Sequence, residues 1–236
     1  TSPGLPFDVF HPNNTLLPRP TRPAWDSLPH LNEQHYGAYA STRWELNPQL
    51  HLLLGGRLSW FDKQTTGKLE TDPVSRYKES REFTPYAGLV LDLDKRWSVY
   101  GSYASIFQPQ SLYYTLGGQP LKPVVGDTYE AGVKGELYDG RLNVALAAFR
   151  IDKRDTAIYD EASNDDCLKW DVTGSCYRNG RPIRSTGIDA DASGEVLPGW
   201  QLSSGYTYNI ARGEGDETPP TVTPKHMLRV STSYRL

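Results

Sequence analysis

Apolar and polar side chains alternate one by one along most of this chain. In the run 128–138, Tyr129, Ala131, Val133, Gly135 and Leu137 share one parity, while Thr128, Glu130, Lys134 and Glu136 share the other. A helix would scatter these charges around its circumference, whereas a period of two sorts them onto opposite faces of a strand. The same sorting sets Trp200, Leu202, Tyr206, Tyr208 and Ile210 against Gln201, Ser203, Thr207 and Asn209. It sets Leu228, Val230, Thr232, Tyr234 and Leu236 against Arg229, Ser231, Ser233 and Arg235, and Phe83, Ala87, Leu89, Leu91 and Leu93 against Thr84, Asp92 and Asp94. From Leu142 the apolar parity holds through Val144 and Leu146, and then Arg150 falls on it, which predicts a bulge or the rim of a membrane there. Further runs at about 33–46 and 50–63 bring the total to roughly nine antiparallel strands, joined as a meander. The fold class is all-β.

The connections alternate in length. Asn47-Pro48-Gln49, Asp94-Lys95-Arg96, Asp139-Gly140 and Leu197-Pro198-Gly199 read as short turns. Between them lie long polar segments at about 63–80, 108–126, 158–182 and 212–224. Short turns at one end of a sheet and long loops at the other are the pattern of an outer-membrane β-barrel, with the short turns in the periplasm. Residues 1–31 carry Pro18, Pro20, Pro23 and Pro29, which cannot donate ladder hydrogen bonds, and read as a loop; 32–236 read as barrel.

Composition sharpens this reading. With 236 residues and a net charge of -3, nothing draws the chain to nucleic acid. No stretch approaches the roughly 18 consecutive apolar residues of a transmembrane helix. Barrel strands escape such a scan because their two faces average out. Six Trp and fifteen Tyr suit an interfacial aromatic belt. On the barrel reading Arg43, Arg57, Lys134, Glu136, Asp189, Asp191, Arg229 and Arg235 face the lumen, and so many inward charges favour a large, plugged barrel over a small, self-filled one. The start, Thr1-Ser2-Pro3-Gly4, has no basic segment or apolar core of a signal peptide. Cys167 and Cys176 lie close together in one long loop with no further Cys or His nearby at ligand spacing, so a local disulfide is expected and a metal site is not.

The chain lacks a G-x-S-x-G elbow, an H-E-x-x-H pair and a phosphate-binding glycine loop, and no enzymatic activity is expected. His11, His30, His35, His51 and His226 are scattered and read as strand, surface or girdle residues. A lipid-facing Ser-His hydrolase would need His226 beside Ser231 or Ser233, but His226 has the apolar parity and both serines the opposite one. A self-closed passive channel would call for an even strand count and a terminal aromatic residue, and the chain ends Tyr234-Arg235-Leu236.

A resemblance to a known family runs from about Gln34 to the end of the chain. The stretch Thr84-Pro85-Tyr86-Ala87-Gly88-Leu89-Val90-Leu91-Asp92-Leu93 is followed by Trp97-Ser98-Val99-Tyr100-Gly101-Ser102-Tyr103-Ala104-Ser105-Ile106-Phe107-Gln108-Pro109-Gln110. After Leu121-Lys122-Pro123 come Gly126-Asp127-Thr128-Tyr129-Glu130-Ala131-Gly132-Val133-Lys134-Gly135-Glu136 and Asp139-Gly140-Arg141-Leu142-Asn143. In this order the segments closely resemble the barrel of TonB-dependent siderophore receptors, in the branch that contains receptors for ferric coprogen, ferric rhodotorulic acid and ferripyoverdine.

The resemblance implies an internal part of a transmembrane barrel of about 22 strands, without the family's plug or terminal strands, and with residues 1–31 as an extracellular loop before a barrel strand. It implies TonB-energised import of a ferric siderophore across the bacterial outer membrane. Haem, a cobalamin or an oligosaccharide are alternative cargoes. The partners are then the siderophore, outer-membrane lipid and, through the plug, the TonB complex. Iron arrives already chelated, so no cofactor is expected to be held by the protein itself. Ligand contacts belong on the long-loop side, where aromatic and cationic groups can meet a large polar chelate. Phe107, Gln108, Tyr113 and Tyr114 on one loop and Trp170, Tyr177, Arg178 and Arg181 on another are the candidates. Trp97 and Trp200 follow short turns and suit the periplasmic girdle.

Overall fold

The computed structural model describes residues 30–66, 75–160, 176–213 and 223–235. The chain divides into two units, Thr1–Asn32 with Gln64–Arg76, and Glu33–Lys63 with Tyr77–Leu236. Of the first, only strand ends are described. The second unit holds the sheet and the loop cluster above it.

The described strands are β1 (His30–Asn47), β2 (Leu50–Thr66), β3 (Ser75–Asp92), β4 (Trp97–Gln108), β5 (Val124–Leu137), β6 (Leu142–Arg154), β7 (Ala157–Tyr159), β8 (Tyr177–Asn179), β9 (Ile183–Leu197), β10 (Trp200–Gly213) and β11 (His226–Tyr234). All but β7 and β8 join one nine-stranded sheet, in which their order is their order in the chain, the expected meander. β7 and β8 pair separately as a hairpin that rises from the segment expected to be irregular. The strands before and after the first long segment also reach further than their periodicity predicts, to Thr66 and back to Ser75. β5 and β6 run to 14 and 13 residues, longer than the about 9–11 that a tilted strand needs to cross a bilayer.

Turn chemistry explains the short connections. The Asn47 side-chain oxygen accepts from the backbone N–H groups of Gln49 and Leu50, and Asp94 does the same for Arg96 and Trp97. Between β5 and β6, Tyr138, Asp139 and Gly140 all take the left-handed conformation, with φ of 52°, 57° and 81°. The Gly199 N–H donates to Glu195 Oε1 at the fourth turn. The expected bulge at Arg150 is absent: Tyr129, Arg150 and Thr186 stand in unbroken register across β5, β6 and β9. A register shift falls at Trp200/Gln201, beside Gly194, whose φ of 136° excludes most side chains. Arg150 therefore keeps the apolar parity, and its position is a matter of height along the strand.

Register places the outward residues in rows. One row joins Val99, Val133, Leu146, Ala190 and Tyr206, and the next joins Gly101, Ala131, Ala148, Ile188 and Tyr208. Leu146 is 51% exposed and Ile188 42%, so over these rows the face offers hydrocarbon to its surroundings. The other face is polar. Lys134, Ala145, Asp191, Gly205 and Arg229 form one row, in which small residues separate the charges. A side chain at Gly205 would stand 2.8 Å from Asp191 Oδ1 and 4.0 Å from Arg229 Nη2, so both long side chains lie across the glycine. Tyr100 donates its hydroxyl proton to Glu130, and the Lys134 ammonium lies 4.6 Å from the Tyr100 ring centroid. His51 is buried on this face, its Nε2 2.9 Å from Asp92 Oδ2.

Candidate functional site

At the long-loop end the segments after β4 and β6 are built into one another. The link begins with Gln110, which is only 5% exposed. Its side-chain amide donates to the carbonyls of Lys122 and Asp155, its side-chain oxygen accepts from the Ala157 N–H, and its own N–H donates to the Tyr77 hydroxyl. A buried amide satisfied on both ends fixes both loops, because losing either partner strands a polar group away from water. Within the first loop, Tyr114 and Pro120 form an isolated bridge, the Leu121 N–H donates to the Tyr113 carbonyl, and Leu121 is 2% exposed.

The hairpin of β7 and β8 leans on this loop. The Tyr177 N–H donates to the Tyr114 carbonyl at 2.8 Å. Beside that bond the Tyr113 and Tyr177 rings meet edge to face, with centroids 4.7 Å apart, and Tyr159 packs on Tyr177 at 6.0 Å. Tyr113 and Tyr159 stay partly exposed, and Arg178 and Arg181 are exposed on the same hairpin and its exit. Cys176 is disulfide-bonded, and the Asp160 N–H donates to its carbonyl. Cys167, the other cysteine, lies outside the described residues.

The eight sequence candidates thus separate. Tyr113, Tyr114 and Tyr177 come together, with Arg178 next in chain. Phe107 and Gln108 sit at the end of β4 on opposite faces, Phe107 on the outward parity and Gln108 on the inward one. Arg181 is exposed beyond β8, and Trp170 lies outside the described residues. Sequence reasoning missed Gln110 and Tyr159. No periodic signal marks them, since each matters through partners far away in the chain.

A second inward cluster lies along β1, β2 and β3. Phe61 packs edge-on against His35 at 5.8 Å and Tyr77 at 5.6 Å, and the buried Lys63 ammonium approaches the Ser111 hydroxyl at 3.3 Å. Among the described residues, no three His, Cys, Asp or Glu side chains gather as a metal site. His226 stacks on Tyr208 at 4.9 Å and pairs with the Tyr206 hydroxyl, on the apolar parity and away from Ser231 and Ser233.

Membrane-length strands with one apolar and one charged face, short turns at one end and interlocked loops at the other define the wall of an outer-membrane barrel protein. The chain belongs to the TonB-dependent receptor family: the family model described as TonB dependent receptor-like, beta-barrel, matches residues 4–236. It is 38% identical over 200 residues to the ferripyoverdine receptor of Pseudomonas aeruginosa, covering 84% of this chain and 23% of that one. It is 35% identical over 211 residues to a ferric-pyoverdine receptor of Pseudomonas putida, covering 87% of this chain and 24% of the relative. The crystal structure of the Pseudomonas aeruginosa ferripyoverdine receptor bound to ferripyoverdine superposes with a TM-score of 0.73 at 34% identity, over 87% of this chain and 26% of that one. The chain therefore spans about a quarter of the length of these relatives.

Proposed function

We propose that this chain forms part of the barrel wall of a receptor that imports a ferric siderophore of the pyoverdine type across the bacterial outer membrane, energised by TonB. One observation carries the cargo assignment: receptors named for ferric pyoverdine match most of this chain at 35–38% identity. The geometry supports it. Tyr113, Tyr159 and Tyr177 offer aromatic surface on a hairpin and loop that also carry the exposed guanidinium of Arg178, which suits a large polar chelate better than a bare ion. On this reading the long-loop end is extracellular and the turns at Asn47, Asp94, Asp139 and Gly199 are periplasmic. The charged inner face lines the lumen of a larger closed barrel and faces a plug. Iron passes as its chelate, so the protein supplies contacts to the ligand's periphery and makes or breaks no bond.

The test is uptake of radiolabelled iron by cells that depend on the intact receptor, supplied as ferripyoverdine, ferric coprogen, ferric rhodotorulic acid or haem, with labelled cobalamin in parallel. Uptake of ferripyoverdine that stops when TonB is deleted supports the proposal. Uptake of haem alone, or TonB-independent passage, overturns it.

A further inference from the structure

The outward face changes character abruptly at the level of Arg150. Below it, the rows through Leu146 and Ala148 are apolar. The next row brings Tyr103, Tyr129, Arg150 and Thr186 together, and the one above joins Asp127, Asp152, Arg184 and Arg212. Arg154, two residues further along β6, keeps the same parity. Leu142 and Asp152 are about ten residues apart on one strand, the length needed to cross the hydrocarbon. On the barrel reading, on which this inference rests, the arginines lie where lipid headgroups begin on the long-loop side.

Their geometry is that of held donors. Asp152 fixes two guanidiniums, taking Arg150 Nε at 2.8 Å and Arg184 Nε at 2.6 Å. Asp127 takes Arg154 Nη2 at 2.9 Å and the Tyr103 hydroxyl at 2.8 Å. Binding through Nε leaves amino groups of Arg150 and Arg184 available to a second acceptor. The arginine side chains remain 48%, 52% and 57% exposed for Arg150, Arg154 and Arg184. Among the described residues, the guanidiniums of Arg150, Arg154 and Arg184 share the two carboxylates of Asp127 and Asp152, and Arg212 stands beside Arg184 in the same row, on a face otherwise built for lipid. In the row of Arg150, and one row below Arg184, the Tyr103 and Tyr129 rings pack at 5.3 Å, an aromatic floor at the depth where such rings favour the interface.

We propose that Arg150, Arg154 and Arg184 form a docking surface for the phosphate groups of an outer-leaflet lipid, with Tyr103 and Tyr129 against the start of its acyl chains. Charge complementarity selects the occupant: fork-shaped donors suit phosphate, and the apolar rows directly below require that the phosphate carry hydrocarbon.

Native mass spectrometry of the full-length receptor measures retention of bisphosphorylated lipid A, with dephosphorylated lipid A and inorganic phosphate as comparison probes. Retention of bisphosphorylated lipid A should fall about fivefold for each of Arg150→Gln, Arg154→Gln and Arg184→Gln. Lys134→Gln, the same charge change on the inner face, should leave it unchanged. Heat-modifiable migration reports whether each variant forms the barrel, and ferripyoverdine binding reports the transport reading separately. A folded triple variant that retains lipid A as well as wild type overturns the proposal while leaving the transport reading intact. Equal retention of the dephosphorylated lipid, or inorganic phosphate bound as tightly as the lipid, overturns it as well.

Discussion

The ring of Tyr113 meets the ring of Tyr177 edge to face at 4.7 Å, although the two residues belong to different loops. The Tyr177 N–H bonds to the Tyr114 carbonyl beside them, so aromatic contact and backbone bond join the same two segments. On the proposed function this junction is part of the extracellular mouth. Replacing Tyr113 and Tyr177 singly by alanine should weaken ferripyoverdine binding by roughly 1 kcal/mol or more each, since an aromatic pair contributes about that beyond its area. The double variant should cost less than the sum of the singles, because each single change already breaks the shared contact. Titration calorimetry on the intact receptor checks this, and full affinity in the double variant would remove the junction from the site.

Gln110 holds the loops from below. Gln110→Leu removes a donor and an acceptor, strands the Ala157 N–H, and leaves the Lys122 and Asp155 carbonyls with only the Asn179 side-chain amide as donor. The expected loss is about 2–4 kcal/mol of local stability. Hydrogen exchange should accelerate at Ala157 and Tyr177 and stay unchanged at amides near the short turns, such as Val133. Uniform protection across both loops would show that Gln110 is replaceable.

Gly194 is a tightly constrained backbone position near the turns. Its φ is 136°, and an added Cβ would stand 2.0 Å from the Arg141 carbonyl oxygen. Gly194→Ala should destabilise the β6–β9–β10 junction by about 2 kcal/mol or more and lower the yield of heat-modifiable, folded receptor. Gly117→Ala is the matched control, because an added Cβ there makes only an ordinary contact 3.9 Å from Thr115 Oγ1.

Asp94 sets a pH dependence at one turn. Backbone N–H groups of Arg96 and Trp97 hold its carboxyl below the usual carboxylate range. A group with a lowered folded pKa contributes stability above its unfolded value, and that contribution is lost as pH falls through the folded value. Protection of the Arg96 and Trp97 amides should therefore persist at neutral and mildly acidic pH and decline only below the ordinary carboxylate range. Asp94→Asn keeps a capping oxygen that does not titrate there, so the decline should vanish in that variant when exchange is followed across pH.

Much of this architecture is legible in side-chain order. The alternation around Tyr129, Leu202 and Leu228 dictates which residues share a face, because a strand offers only two directions and only one of them meets hydrocarbon. The turns at Asn47 and Asp94 are equally readable, since their side chains cap backbone groups two and three residues away. Local chemistry of that kind is written in the local sequence.

Arg150 shows the limit. As a charge on an apolar parity it reads equally as a bulge or a rim, and only the unbroken pairing of Tyr129, Arg150 and Thr186 decides for height along the strand. His51 reads as a surface, strand or girdle residue, and a neighbouring strand buries it and gives it a part-buried bond to Asp92.

The sequence by itself determined an all-β meander with one apolar and one charged face, since period-two patterning admits little else. Tertiary structure decided which distant residues meet: Tyr113 with Tyr177, Gln110 with Asp155, and Arg150 with Arg184 through Asp152. Strand register and loop packing are relations between segments, set by the fit of many side chains at once, and no single segment contains them.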